Sequence, residues 1–308
     1  MHKYIIKRLL MLIPVIVGVS LLVFFILSLS PGDPVKLMLG DQATPEAIAQ
    51  VRAELSLDDP LLVQYGKYMW NLLHGDMGRS YTTKRDVFTE IRTRFPVTLT
   101  LAFFSMLISV IIAIPVGIIS ATKQYSFLDN LSMVACLVGV SMPNFWLGLM
   151  LILFFSVMLG WLPSGGVDGP SSYILPALTL GIGGAANIAR MMRSSMLEVI
   201  RQDYIRTAKA KGVKRKKIIA KHALKNAMMP VVTVIGLQFG LYLGGAVLTE
   251  TVFSLPGTGR LMIDGLRSKD TPTVLGCVIV FSILYSLVNL LVDIIYGFID
   301  TRIKAKYV

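Results

Sequence analysis

Histidine and cysteine are scarce in these 308 residues, with three of the first and two of the second. His2, His74 and His222 all fall outside the long uncharged windows described below, so no Ser-His pair and no histidine-based metal centre assembles within them. Cys136 and Cys277 lie inside such windows and read as small apolar packing residues. The motifs H-E-x-x-H, G-x-S-x-G and G-x-x-x-x-G-K-[ST] are absent, and with them the zinc-protease, serine-hydrolase and ATP-binding signatures. No catalytic residue, no metal site and no cofactor is expected in this chain.

Charge is also in short supply. Only 16% of residues are Asp, Glu, Lys or Arg, and the mean hydropathy is +0.68, too apolar for a soluble domain of this length. Uncharged windows run over 9–32, 95–122, 130–167, 169–189, 226–249 and 271–292. About 20 apolar residues cross a bilayer as a helix, so each window holds one span and none holds two. The expectation is an all-α integral membrane protein with six transmembrane helices. The basic, apolar start is expected to be a retained first span, because its apolar run exceeds that of a cleaved leader and no A-x-A-like site precedes "PGDP".

What charge there is falls unevenly. With the N-terminus inside, the inner segments hold 19 basic residues against four acidic ones, a balance of +15. Short basic loops stay in the cytoplasm, so both termini are expected there. Nine Lys or Arg, and no acid, lie in 204–227. Topology and attraction to anionic lipid headgroups account for that surplus, so it calls for no nucleic acid.

Residues 31–94, between the first two spans, carry eight basic and nine acidic residues and read as a folded external segment. Thr44 is placed to cap a helix that starts at Pro45. Asp59 and Pro60 open a second helix with an apolar stripe of Leu61, Tyr65, Tyr68, Met69 and Leu72, and Gly75 stops it. Those stripes need cover from the outer ends of the membrane helices or from the lipid interface. Small residues from Gly181 to Ala186 permit close helix packing. Residues 259–266 read equally as a short helix or a surface loop. Glu250 and Asp293, near the ends of the fifth and sixth spans, are candidate translocation-path or interfacial acids. At interfacial depth, hydration or an arginine partner would hold them.

Within the basic loop, Ala208 and Ala210 are small enough for close packing into a partner's groove. Gly212 can end their helix in a left-handed conformation. Ile218, Ile219, Ala223 and Leu224 recur at helical spacing, so 204–227 reads as two short helices bent at Gly212.

"RTAKAKG", Arg206 to Gly212, resembles the E-A-A-x-x-x-G coupling loop of ABC importer permeases, in the variant typical of the peptide and nickel family. Arg206 and Thr207 stand where Glu and Ala are usual, and Leu224 is followed by Lys225 in place of the I-x-L-P ending. "PGDP", "GDMGRS", "GVSMPNFWL", "YILPALTLG", "KHALKNAMMPVVT" and "TETVFSLPGTGRLM" resemble further blocks of that family, in order along nearly the whole chain. The resemblance is specific to the first of two permease subunits. It implies the type I importer permease fold as a single transmembrane domain over 1–308, with 198–228 as the cytoplasmic coupling loop and Arg206, Thr207, Ala208, Ala210, Gly212 and Leu224 as its site residues.

It further implies a heterodimer with a second permease in a bacterial or archaeal cytoplasmic membrane. Two cytoplasmic ATPases would hold ATP and magnesium, and an extracytoplasmic solute-binding protein would deliver the cargo. Di- or oligopeptides are the leading cargo; nickel, a metal chelate or glutathione is the alternative. A stand-alone secondary carrier is the reading from another class.

Overall fold

The computed structural model describes residues 2–40 and 43–299; Asp300 and the terminal basic residues Arg302, Lys304 and Lys306 lie outside the described residues. Apolar runs without breakers set the long helices, and capping residues start the short ones. α1 (His2–Leu29) is followed by α2 (Pro34–Leu39), α3 (Pro45–Glu54) and α4 (Leu61–Leu73). Next come α5 (Val87–Thr122), α6 (Phe127–Ser141) and α7 (Asn144–Leu151), which continues as π-helix to Met158. α8 (Ile174–Ile200) leads to α9 (Asp203–Ala210). One turn, α10 (Arg215–Lys217), then runs through a π segment, Ile218–Ala223, into α11 (Leu224–Val252). α12 (Thr258–Arg267) and α13 (Thr271–Ile299) complete the described chain.

Five helical runs are long and apolar enough to cross a bilayer, and α6 with α7 makes a sixth if that bent pair is one span. The span expected in 130–167 is a bent pair, whose two helices meet at 101°. Pro143 disfavours helical geometry in the residue before it, and Met142 accordingly takes φ −76°, ψ 125°.

α8 is the centre of the bundle. Leu175, Ile188, Met192 and Met196 are wholly buried, and α5 lies along it so closely that a Cβ on Gly117 would sit 2.9 Å from the Ala189 carbonyl. This is the close approach that small residues allow in membranes. α1, by contrast, buries little of its surface in this chain.

The described residues of 31–94 pack on one end of the bundle. Thr44 Oγ1 accepts from the Ala47 N–H and Pro45 starts α3, as their order predicts. Asp59 does not cap α4; its carboxylate takes Lys67 Nζ at 2.6 Å instead, with Pro60 at the cap position. The α4 stripe covers α1 and α13: Tyr65 stacks near Phe24 and bonds Ser20 and the Val17 carbonyl, in a cluster with Leu275. Lys269 Nζ reaches the carbonyls of Ser30 (2.7 Å) and Gly32 (2.9 Å) just past the end of α1, where a cation is favoured.

Glu250 is held by a hydroxyl and backbone N–H groups. It is fully buried, with Thr98 Oγ1 donating to Oε1 at 2.6 Å and the Arg260 N–H to Oε2 at 2.9 Å; the Gly259 N–H also faces it. The start of α12 thus wraps the carboxylate with backbone donors, favoured by the positive end of the helix. A Cβ on Gly257 would overlap the carboxylate, which explains glycine there. Residues 259–266 are helical, within α12, because Leu261 has Val87, Ile91 and Cys277 to pack against. Asp293 pairs with Arg8 at 2.9 Å, both side chains about one-third exposed or more.

Candidate functional site

The other end of the bundle carries 198–228. α9 is a single short helix of eight residues, and Ile205, wholly buried, anchors it. The next residue on that face, Ala208, also packs against the core. Helical periodicity then turns Asp203, Arg206, Thr207 and Ala210 outward, and all four are exposed. Leu224 packs on the core as the first residue of α11.

The end of α9 is built as its sequence predicts. Gly212 takes φ +75°, its N–H donates to the Lys209 carbonyl (3.0 Å), and the Val213 N–H donates to the Ala208 carbonyl (3.2 Å). This reciprocal pair closes the helix and needs a left-handed residue at its centre. The second expected short helix does not form as a separate piece. No glycine or proline interrupts 213–229, so α10 and the π segment run straight into α11.

Polar ties hold α9 and its flanks to the neighbouring helices. Arg215 Nη2 donates to the Thr122 carbonyl at the end of α5 (2.9 Å), Arg201 Nη2 to Gln124 Oε1 (3.3 Å), and Asn226 Nδ2 to the Tyr204 hydroxyl (2.7 Å). Beneath them lies an ion pair that reading by charge clusters misses. Arg193 Nε and Nη2 donate to the two oxygens of Asp129, each at 2.8 Å. The Ser120 hydroxyl and the Tyr125 N–H also donate to that carboxylate. α5, α6 and α8 are joined there by a nearly buried charge pair with every carboxylate oxygen satisfied. The one signal for it was Asp129 itself, a lone acid at the edge of an apolar window.

α9 is thus an exposed short helix seated on the bundle, bonded to α11 through Tyr204 and flanked by ties to the end of α5 and the loop after it. Among the described residues, no group of three or more His, Cys, Asp or Glu could hold a metal ion.

Comparison with known proteins adds what geometry alone does not. A family model described as "Binding-protein-dependent transport system inner membrane component" matches residues 113–305, and its N-terminal companion matches 1–102. The dipeptide transport system permease protein DppB of Alkalihalophilus pseudofirmus is 45% identical, with 99% of this chain and 100% of that protein covered. The glutathione transport system permease protein GsiC of Escherichia coli K12 is 46% identical with the same coverage. Among solved structures, the inward-facing MetNI methionine ABC transporter aligns with a TM-score of 0.57 at 22% identity, covering 68% of this chain and 96% of that one. That last likeness speaks to the fold alone.

Proposed function

The chain belongs to the binding-protein-dependent transport system inner membrane components, and from that membership we propose that it forms half of the translocation path of an ATP-driven importer for di- and oligopeptides. Near-complete alignment at 45% identity with a dipeptide permease carries the choice of cargo. Glutathione, suggested by the relatives at 46%, is itself a short peptide and falls in the same chemical class. A homologous second permease would complete the path. Two ATPases would bind ATP and magnesium, one of them docking on the outward face of α9, and a solute-binding protein would deliver cargo at the end bearing 31–94. Arg206, Thr207, Ala210 and Gly212 are then the contact and shape of the docking helix, while Ala208 and Leu224 seat it on the bundle.

Reconstitution tests this directly. The full assembly, given peptide-loaded binding protein, should hydrolyse ATP and accumulate peptide in liposomes, and this chain alone should do neither. Peptide uptake by the lone chain under a proton gradient would replace the importer reading with that of a secondary carrier.

Orientation follows from the basic surplus around α9. We place 198–228 in the cytoplasm and 31–94 outside. With Cys136 and Cys277 replaced, a cysteine at Asn71 should react with a membrane-impermeant thiol reagent in intact cells and one at Lys216 should not. The reverse pattern would invert the topology.

A further inference from the structure

The bundle holds a small polar cavity at the depth where polar groups are least welcome. It measures about 170 Å³ and lies where the break between α6 and α7 meets α8 and α11. Asn144, Asn187, Gln238 and Tyr242 line it. Gln238 is 14 residues from either end of α11 and central in the uncharged window 226–249, and Asn144 lies 14 residues into the window 130–167, so both sit deep in their spans; Asn187 lies near the charged end of its window, beside Arg190.

Three observations give this cavity a purpose. The amides are not core residues: Asn144 is exposed and Asn187 and Gln238 are half-buried, so they face outward from the chain. Amides deep in a span are costly against acyl chains, so a face presenting Asn144 and Gln238 lines water or protein. The broken span points the same way. A continuous helix would pair the Gly139 carbonyl with the N–H of residue 143, but that residue is proline, and irregular backbone at membrane depth survives beside a cavity.

The cavity is also built rather than left over. Tyr242 closes its floor, bonded to Ser109 (2.7 Å) and donating to the Leu180 carbonyl (3.0 Å). A Cβ on Gly184 would overlap that hydroxyl, and one on Gly183 would crowd Asn144 Oδ1 at 3.3 Å.

We propose that Asn144, Asn187 and Gln238 line the midpoint of the translocation path and engage a passing peptide by its backbone amides. The proposal rests on the peptide-import reading above. Each carboxamide offers both a donor and an acceptor, as a peptide bond does, so the match is to the part of the cargo that all peptides share. None of the three carries charge, and the one cation that touches them is the exposed Arg190, whose Nη2 donates to Asn187 Oδ1 at 2.7 Å. Asn144 and Gln238 are therefore the neutral part of the lining, which suits a path that admits many sequences.

The test adds a charge at this position and reads selectivity. In the reconstituted assembly, uptake is measured for two peptides of equal length, one anionic and one cationic, each at saturating binding protein. The unaltered protein should move both at similar rates. Asn144→Asp should lower anionic relative to cationic uptake by about tenfold, and Asn144→Lys should reverse the preference, because like charges in a low-dielectric passage repel strongly. Gln238→Glu gives the same readout from another helix if the Asn144 variants do not assemble. An unchanged ratio in all variants, or equal losses for both peptides, would overturn the proposal while leaving peptide import intact. Failure of the unaltered assembly to move either peptide would instead remove the peptide reading, and this site with it.

Discussion

Replacing Arg193 with methionine is expected to destabilise the protein by about 3 kcal/mol, because it strands the Asp129 carboxylate in the bundle without its cation. The low end of the range for broken buried pairs applies. Arg193 keeps 23% of its side chain exposed while Asp129 keeps 2%, so some solvent reaches the pair. Ser120 and the Tyr125 N–H would still bond the carboxylate, but two hydrogen bonds do not replace a bidentate guanidinium. Thermal unfolding in detergent should show a clearly lowered midpoint for Arg193→Met. The double variant Asp129→Asn with Arg193→Met should recover part of the loss, since the buried charge is gone. If the double variant is no better than the single one, the pair is not what holds α6 to α8. The effect should reach function too, because the helices it joins carry the ties from Thr122 and Gln124 to the flanks of α9.

The second large effect is expected at α9 itself and separates its shape from its charge. Ala210 is exposed on the outward face, where docking to an ATPase would need close contact. Overpacking such a contact costs roughly 1 to 3 kcal/mol, which converts to about a 5- to 150-fold loss of productive docking. Ala210→Trp should therefore lower transport by a factor in that range in protein that still inserts. Gly212→Val should do the same by another route, because a β-branched residue strongly resists the φ of +75° that closes the helix. The neighbouring charges behave differently. Lys214, Arg215, Lys216 and Lys217 are exposed, and ion pairs at exposed sites contribute about 0 to 1 kcal/mol. Neutralising Lys214, Lys216 or Lys217 singly should leave transport near normal. Ala208→Trp is the wrong probe, since its inward packing would make any loss a folding defect. Peptide uptake and ATP hydrolysis by the reconstituted assembly read all of these. Normal transport by both Ala210→Trp and Gly212→Val, with transport lost on neutralising the basic residues, would mean that the loop works by charge.

The features legible in the residues alone are those that depend on near neighbours. The span windows follow from the length of uncharged apolar runs, which lipid accepts only as closed hydrogen-bonded helix. Thr44 before Pro45 and Gly212 after Ala210 mark helix ends because capping bonds reach only two to five residues. Gly181 to Ala186 announced a tight helix contact, though not with which helix.

Tertiary structure decided what depends on distant partners. Pro143 could have been absorbed as a kink; its 101° break exists because α7 has α8 and α11 to lie against. Glu250 looked interfacial by position, yet Thr98 and the start of α12 bury it. Asp129 and Arg193 are 64 residues apart, and only the packing of α6 on α8 makes them a pair. Windows bounded by charge pass over neutral amides, so Asn144, Asn187 and Gln238 drew no notice until three helices brought them to one cavity. Local backbone preference selects a helix and its ends, whereas the meeting of side chains is chosen by which faces pack, and those faces lie far apart along the chain.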